Sequence, residues 1–224
     1  YVTAAALCST IVMGGLQASS VSYAATNPTT VTAQSDVKLL DDFRKELKKQ
    51  IDNREENITI TYKTKDRNAR NIMDQLYGEF NKIVDADEYV KYNVASTRYS
   101  IKGMPGDYTF TLQVKYRESK EQTQYVKAQV KSIVGSIVKP GMDEHEKVKA
   151  IHDYVVKHVS YDTSYQAYTA YEALANRSAV CQGYTLLTYE LLKEAGIQNH
   201  IVTGTGNGQA HAWNLVNIEN KWYH

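Results

Sequence analysis

The spacing of apolar residues switches between a helical and a strand period along the chain, and this pattern limits the possible folds most. Apolar residues recur at three- and four-residue spacing in segments that we predict to be helices, at 37–51, 67–84, 126–137, 143–159 and 181–192. Apolar and polar residues alternate in segments that we predict to be strands, at 58–62, 92–101, 108–116 and 210–216. This mixture predicts an α+β fold.

Residues 37–140 are predicted to form a small N-terminal α+β module. Two of its strands flank the turn-forming residues 103–107, which indicates an antiparallel hairpin with a longer loop. Pro140 and Gly141 end its last helix. Asp143, with Glu146 three positions later, then resembles a capping box at the start of the next predicted helix. Because the module contains no pairing of a nucleophile with a base, we expect it to contribute stability or substrate presentation rather than chemistry.

The charges of the chain are nearly balanced, which excludes a strong overall field. Its 224 residues include 26 basic and 25 acidic side chains, and the formal net charge is +1 at pH 7. The sequence pI is about 7.9. We therefore expect neither nucleic acid nor an anionic membrane as a partner, and we interpret Lys-rich stretches such as Arg44 to Lys49 as solvated helix faces.

Residues 1–24 are predicted to be a signal peptide whose start is missing. Residues 2–16 are uncharged and largely apolar, and this segment is shorter than the ~20 residues that a membrane-spanning helix needs. Ser22 and Ala24 are the small residues expected three positions and one position before a cleavage site. Residues 25–36 are predicted to be a disordered mature terminus. The pattern predicts a secreted or cell-wall-associated protein without a stable membrane anchor.

Cys181 is the cysteine that would remain in the mature chain, because Cys8 lies in the predicted signal peptide. Cys181 then has no partner for an intramolecular disulfide. An unpaired cysteine in an exported protein risks oxidation, so it is either buried and inert or useful for its reactivity. The cysteine count alone leaves both interpretations open.

The residues around Cys181 predict that it lies at the start of a helix. Ser178 is a candidate N-cap, and Ala195-Gly196 is a C-terminal stop signal. Unpaired backbone amides and the positive end of the helix dipole stabilise a thiolate at such a position. The same amides can bind the oxyanion that forms when the thiolate attacks a carbonyl group.

His211 is the best placed of the six histidines to act as a base. It lies on a predicted strand after a glycine-rich loop at 204–208, and Trp213 shares its face of the strand. The histidines of the predicted helix at 143–159 lack the spacing of a zinc site, and we interpret them as structural or solvated. We expect neither a metal nor a cofactor.

Residues 219–221 predict a hairpin turn that leads into a return strand. With a two-residue turn, the position two beyond His224 would lie opposite Trp213 and diagonal to His211. A carboxylate at that position would orient the imidazole as a Cys-His-Asp triad requires. We expect that the sequence is truncated at this end, since it stops within the predicted strand.

Several motifs together strongly resemble the secreted bacterial transglutaminase-like proteins, which are relatives of papain-like thiol enzymes. The resemblance covers about residues 142–224 and rests on Val180-Cys181-Gln182-Gly183-Tyr184, His211-Ala212-Trp213-Asn214, Lys221-Trp222-Tyr223-His224, Ile151-His152-Asp153-Tyr154, Ser160-Tyr161-Asp162 and Ala170-Tyr171-Glu172-Ala173-Leu174. It implies a transglutaminase-like, papain-like domain at 141–224 in which the Cys-bearing helix packs on an antiparallel sheet.

The resemblance also implies roles for individual residues. Cys181 would be the nucleophile and His211 the base, whereas the family's Asp after the Trp-Tyr pair has no matching position in this sequence. Gln182 is a candidate for helix structure or substrate contact. Tyr184 and Trp213 are candidate cleft residues, with packing as the alternative for both.

The predicted function is thiol-dependent acyl transfer or hydrolysis on protein or cell-wall peptide amides, through a thioester on Cys181. The expected partner is a protein or peptide substrate, including cell-wall peptide. The alternative is a catalytically inactive cell-envelope module for binding or scaffolding, because function depends on a complete site rather than on a fold.

Overall fold

The computed structural model describes residues 29–31, 36–206 and 208–224. Its helices are α1 (Asp36–Asp52), α2 (Ala69–Asp85), α3 (Glu88–Asn93), α4 (Lys120–Ile137), α5 (Glu144–His158), α6 (Ala170–Ala175) and α7 (Cys181–Glu194). Its strands are β1 (Thr29–Val31), β2 (Asn57–Lys63), β3 (Val94–Met104), β4 (Asp107–Tyr116), β5 (Ser160–Tyr161), β6 (Ser178–Ala179), β7 (Asn199–Gly206), β8 (Gln209–Ile218) and β9 (Lys221–Tyr223). The predicted signal peptide and Cys8 lie outside the described residues.

The N-terminal sheet has the strand order β1-β2-β4-β3 and packs against α1 and α2. Alternation along β2 buries Ile58, Ile60 and Tyr62 on one face of the sheet. Phe43 of α1 meets Tyr62 and Phe110 edge-on, with ring centroids 5.8 and 5.6 Å apart. Each such side chain contributes about 1.5–3 kcal/mol by leaving water. This module therefore has a core of its own.

Two local features of this module differ from the sequence prediction. The segment expected to be disordered includes β1, which pairs in parallel with β2. The longer loop expected between β3 and β4 is wrong, because Met104 pairs with Asp107 and only Pro105 and Gly106 connect the strands. Proline suits the first central position of a type II turn, and Gly106, with a φ of 95°, suits the second.

Tyr92, expected at the start of a strand, belongs instead to α3. The side chain of Asp87 caps this helix by accepting from the Val90 N–H group. A helix of six residues is too short for its apolar spacing to be distinguished from strand alternation. The strand begins only at Val94.

Helices α4 to α7 and the antiparallel sheet β7-β8-β9 surround a second core. Its centre is α7, whose Leu187 and Leu191 are fully buried. Val126 and Val130 of α4 also belong to this core. The predicted boundary after residue 140 therefore separates α4 from the helices against which it packs. By its packing, α4 belongs with the second core. The arrangement confirms the predicted α+β class.

Two predicted helix signals are confirmed. Asp143 and Glu146 form a reciprocal capping box at the start of α5, in which each side chain accepts from the other residue's N–H group. Gly196, with a φ of 77°, follows α7, and the Ile197 N–H group donates to the Leu192 carbonyl oxygen at 2.9 Å. Within the described ranges, no helix is long and apolar enough to cross a membrane.

Candidate active site

Helix α7 begins at Cys181, as predicted. Its N-cap residue, Val180, has an extended backbone, and no side chain caps the helix. Ser178, the expected cap, lies in β6 and pairs with β5, so that expectation is wrong. As the first helical residue, Cys181 has a backbone N–H group without an acceptor inside the helix. Its thiol is free and partly exposed.

The glycine two residues after Cys181 is required by packing. A Cβ atom on Gly183 would lie 2.6 Å from the Cβ atom of Ala179 and 2.9 Å from the carbonyl oxygen of Thr169. Thr169 is the N-cap residue of α6. The first turn of α7 therefore packs directly on the start of α6, which only a residue without a side chain permits.

Gln182 is turned to the N-terminal module rather than into the cleft. Its Nε2 atom donates to the carbonyl oxygen of Tyr92 at 3.0 Å, which ties α7 to α3. Successive residues of a helix are rotated by about 100°, so Gln182 does not share the direction of Cys181. The contact supports the helix-structure interpretation of Gln182 and not substrate contact.

Two glycines of β7 make room for the rings of β8. A Cβ atom on Gly204 would lie 2.9 Å from Cη2 of Trp213, and one on Gly206 would lie 3.4 Å from Cβ of His211. The His211 and Trp213 rings are 5.8 Å apart at an interplanar angle of 28°. The glycine-rich segment before His211 thus serves close packing of side chains over the neighbouring strand.

Asn214 joins the strand of His211 to the helix of Cys181. Its Nδ2 atom donates to the carbonyl oxygen of Thr185 in α7 at 3.1 Å. The Thr185 hydroxyl in turn donates to the Cys181 carbonyl oxygen at 2.8 Å. These contacts give a structural reason for the Asn in the His-Ala-Trp-Asn motif, a role that the sequence analysis missed.

Cys181 and His211, thirty positions apart in the sequence, line one cleft with a volume of about 310 Å³. The other residues that line it are Tyr161, Tyr184, Thr185, Thr188, Ala212, Trp213 and Asn214. The structure therefore brings together all the predicted site residues except Gln182.

Tyr161 is a cleft residue that the sequence analysis did not single out. It lies in β5 opposite Ala179, two positions before Cys181. Burial raises the pKa of Tyr161, and the charges of Cys181 and Tyr165 raise it further, whereas the nearby backbone N–H group of Cys181 lowers it. Tyr161 and Cys181 thus line the same cleft at the start of α7. The Ser160-Tyr161-Asp162 motif is the sequence feature that could have identified Tyr161 as a cleft residue.

Tyr184 is a second tyrosine that lines the cleft. Its ring lies 6.4 Å from that of Tyr161 at an angle of 26°. Its hydroxyl donates to the carbonyl oxygen of Val159. Burial raises the pKa of Tyr184, and the charge of Tyr161 raises it further. Both phenols are therefore neutral hydrogen-bond donors near pH 7.

The hairpin after His211 has the predicted two-residue turn. Glu219 and Asn220 have φ values of 51° and 62°, as a type I′ turn requires. Val216 pairs with Tyr223. In this register, a residue two positions beyond His224 would lie opposite Trp213. Among the described residues, none forms a hydrogen bond with the His211 ring.

His158, on α5, contacts a local partner. His158 Nδ1 lies 2.7 Å from the Tyr154 carbonyl oxygen, and the two rings are stacked 4.2 Å apart. The described ranges contain no cluster of three or more His, Cys, Asp or Glu side chains that could hold a metal ion.

Comparison with known proteins relates this region to a family. Residues 131–224 match the model of the transglutaminase-like superfamily. The kyphoscoliosis peptidase of Mus musculus is 28% identical over 144 residues, which cover 56% of this chain and 21% of that protein. The Homo sapiens kyphoscoliosis peptidase is 25% identical over 115 residues, which cover 43% and 17%. The chain therefore spans about a fifth of the length of these relatives.

A solved structure described as a TGase is similar with a TM-score of 0.43 at 16% identity. The similarity covers 87% of this chain and 57% of that one.

Proposed function

From the transglutaminase-like domain at residues 131–224, we propose that the protein performs thiol-dependent acyl transfer or hydrolysis on amides of proteins or peptides. The observation that carries the proposal is the shared cleft of Cys181, at the first position of α7, and His211 on β8. A nucleophile and a base on rigid elements facing one cavity are what covalent acyl chemistry needs.

Each step of the reaction has a group in the cleft. The Cys181 thiolate attacks the carbonyl carbon of an amide and forms a tetrahedral intermediate. The Cys181 N–H group, at the first position of α7, and the Tyr161 hydroxyl, in the same cleft, stabilise its oxyanion. His211 protonates the leaving amine as the C–N bond breaks, which leaves a thioester on Cys181. Water or a second amine, deprotonated by His211, then releases the acyl group.

The cleft walls favour an uncharged amide substrate. Tyr161, Tyr184 and Trp213 line the cleft with aromatic rings, and its lining contains no Asp, Glu, Lys or Arg side chain. A volume of about 310 Å³ accommodates a glutamine side chain or a short peptide segment.

We place the group that orients His211 at the position two beyond His224. The register of β8 and β9 supports this assignment, since that position would lie opposite Trp213 and diagonal to His211. A carboxylate there would accept from the imidazole and favour the tautomer that protonates the leaving amine.

The proposed setting is the outside of a bacterial cell. The apolar segment at 2–16, with Ser22 and Ala24, supports export. We propose that the protein is secreted or associated with the cell wall, without a stable membrane anchor, and that its substrates are proteins or cell-wall peptides. Nucleic acid is not a proposed partner, because the net charge is only +1.

The test is to trap the acyl group. The full-length protein is incubated with glutamine-containing peptides and with cell-wall peptides, with and without a labelled primary amine, and Cys181 is examined by mass spectrometry. We expect an acyl adduct on Cys181, and none in the Cys181→Ser variant. Amine incorporation indicates a transglutaminase, and cleavage without incorporation indicates a hydrolase.

The alternative function is a cell-envelope module for binding or scaffolding without catalysis, because function depends on a complete site rather than on a fold. Absence of adduct and product across a broad peptide library, with the fold intact, would favour this alternative.

A further inference from the structure

We propose that Asp162 is a positioning residue that fixes the start of α7, where Cys181 lies, and the position of Tyr161 in the cleft. The inference deepens the proposed function and rests on it. Asp162 follows β5 directly and belongs neither to the cleft lining nor to any predicted catalytic group.

The Asp162 carboxylate is saturated by the loop that follows it. One oxygen accepts from the Ser164 N–H group at 2.9 Å and from the Ser164 hydroxyl at 2.6 Å. The other accepts from the N–H groups of Gln166 and Ala167 at 2.8 and 2.9 Å. A carboxylate that accepts several backbone N–H groups holds a loop in one conformation. These hydrogen bonds, of which the Ser164 hydroxyl contributes most, hold the pKa of Asp162 well below its usual range.

Both ends of this loop are bonded to the dipeptide that precedes Cys181. The Asp162 N–H group donates to the Ala179 carbonyl oxygen at 2.9 Å, and the Val180 N–H group donates to the Ala167 carbonyl oxygen at 2.8 Å. Val180 is the N-cap of α7. The carboxylate of Asp162 therefore holds the carbonyl group of Ala167 where it anchors the residue next to the nucleophile.

This anchorage compensates for a missing cap. No side chain caps α7, since Val180 has no polar atom to offer. The loop held by Asp162 is thus the contact that sets the direction in which the chain enters α7. It also carries Tyr161 at its first end. A displacement of about 1 Å at a reacting group can lower a rate by about 100-fold, so both donors to the oxyanion depend on Asp162.

The experiment compares Asp162→Ala and Asp162→Asn in the full-length protein. The matched control is Asp153→Ala, which removes a partly exposed carboxylate of α5 paired with Lys149. Three quantities are measured: the alkylation rate of Cys181 by iodoacetamide at pH 7, kcat and KM for an accepted peptide, and the melting temperature.

We expect Asp162→Ala to lower kcat by about 10- to 100-fold with KM changed by less than about threefold, because a misplaced nucleophile and oxyanion site affect the reaction more than binding. Alkylation should slow by about threefold or more, because the sulfur loses its fixed place at the helix terminus. The kcat and the alkylation rate of Asp162→Asn should lie between those of Asp162→Ala and the wild type, since the amide oxygen of Asn can replace one of the two carboxylate acceptors. Asp153→Ala should match the wild type.

Alkylation of a folded Asp162→Ala variant within about twofold of the wild-type rate overturns the proposal, since positioning would then not reach the sulfur. Equal changes in kcat for Asp162→Ala and Asp153→Ala also overturn it. Global unfolding of both Asp162 variants counts against it too, because the residue would then serve the fold as a whole. If the wild type turns over no peptide, the proposed function fails separately, and the alkylation rates still decide the role of Asp162.

Discussion

Two tyrosines of the cleft differ in the partners of their hydroxyl groups. The Tyr184 hydroxyl donates to the Val159 carbonyl oxygen, whereas among the described residues none accepts a hydrogen bond from the Tyr161 hydroxyl in the same cleft. At the scale of single residues, this difference supports Tyr161 as the second oxyanion donor of the proposed reaction. The first donor is the amide of Cys181, which the helix leaves without a partner.

Tyr161→Phe should therefore lower kcat by about 100-fold with little change in KM, because one oxyanion donor is lost while the ring remains. Turnover of an accepted peptide is measured for this variant and for Tyr165→Phe. Tyr165 is exposed, and its ring meets that of Tyr161 edge-on at 6.4 Å, so its variant controls for the aromatic neighbourhood. Equal activity of Tyr161→Phe and the wild type would remove Tyr161 from the mechanism.

Gly183→Ala should lower the free energy of unfolding by about 1–3 kcal/mol, because its Cβ atom would overlap Ala179 and the backbone of Thr169. Gly78→Ala is the matched control, since a methyl group on that helical glycine would meet nothing within 4 Å. We expect Gly78→Ala to raise stability by about 0.5–1 kcal/mol through helix propensity. Urea denaturation measures both. A stabilised Gly183→Ala variant would contradict the close contact of α7 with α6.

At the scale of elements, α1 and α2 are joined through a buried carboxylate. Glu79 of α2 is 1% exposed, and it accepts from Arg44 of α1 and, at 2.8 Å, from Lys82. Burial by itself would raise the pKa of Glu79, but the hydrogen bonds from Arg44 and Lys82 hold it below the ordinary value. The charge is thus tolerated inside the module because two cations reach it.

Arg44→Met should cost about 1–3 kcal/mol at pH 7, since a charge-assisted bond to a buried group is lost. Because the pKa of Glu79 is lowered, its contribution in the wild type is present above the unfolded pKa of about 4.3 and is lost as the pH falls through the folded pKa. The loss in acid should be smaller for Arg44→Met. Denaturation at pH 7 and in acid tests this. Lys45→Met, which removes an exposed cation, should change little.

At the scale of the whole molecule, Glu118 holds α3, the helix that contributes side chains to both cores. Its buried carboxylate accepts from the Tyr89 hydroxyl of α3 at 2.6 Å and the Thr123 hydroxyl of α4 at 3.3 Å. It also accepts from the Tyr171 N–H group of α6 at 3.0 Å. Val90 of α3 packs in the first core and Tyr89 in the second, so the contacts of Glu118 fix the helix that joins the halves.

Glu118→Ala should destabilise the protein by about 1–3 kcal/mol for each buried donor left without an acceptor. Urea unfolding is followed by tryptophan fluorescence, which reports on the second core, and by circular dichroism, which reports on both. We expect the two midpoints to coincide in the wild type and to separate in the variant. Glu121→Ala, at an exposed position of α4, is the control. Coincident, unchanged midpoints in Glu118→Ala would refute the coupling.

The sequence by itself determined the features that depend on neighbouring residues. Apolar spacing predicted α2 and α7, the pair Asp143 and Glu146 predicted the start of α5, and the turn at Glu219 and Asn220 set the register of β8 and β9. Each of these rests on periodicity or on hydrogen bonds spanning a few positions. The motifs around Cys181 and His211 also indicated the transglutaminase-like fold, because a thiol nucleophile and its base require particular residue types at and beside these two positions.

Only the tertiary structure decided which side chains meet across long separations. The orientation of the Gln182 side chain depends on the Tyr92 carbonyl group, 90 positions away. The apolar spacing of α4 predicts a helix but does not show that this helix packs in the second core. Tyr161 reaches Cys181 because β5 pairs with β6. A six-residue helix such as α3 is likewise too short to show a period. These orientations and packing partners depend on the summed energy of contacts between residues far apart in the sequence, which a local sequence pattern does not predict.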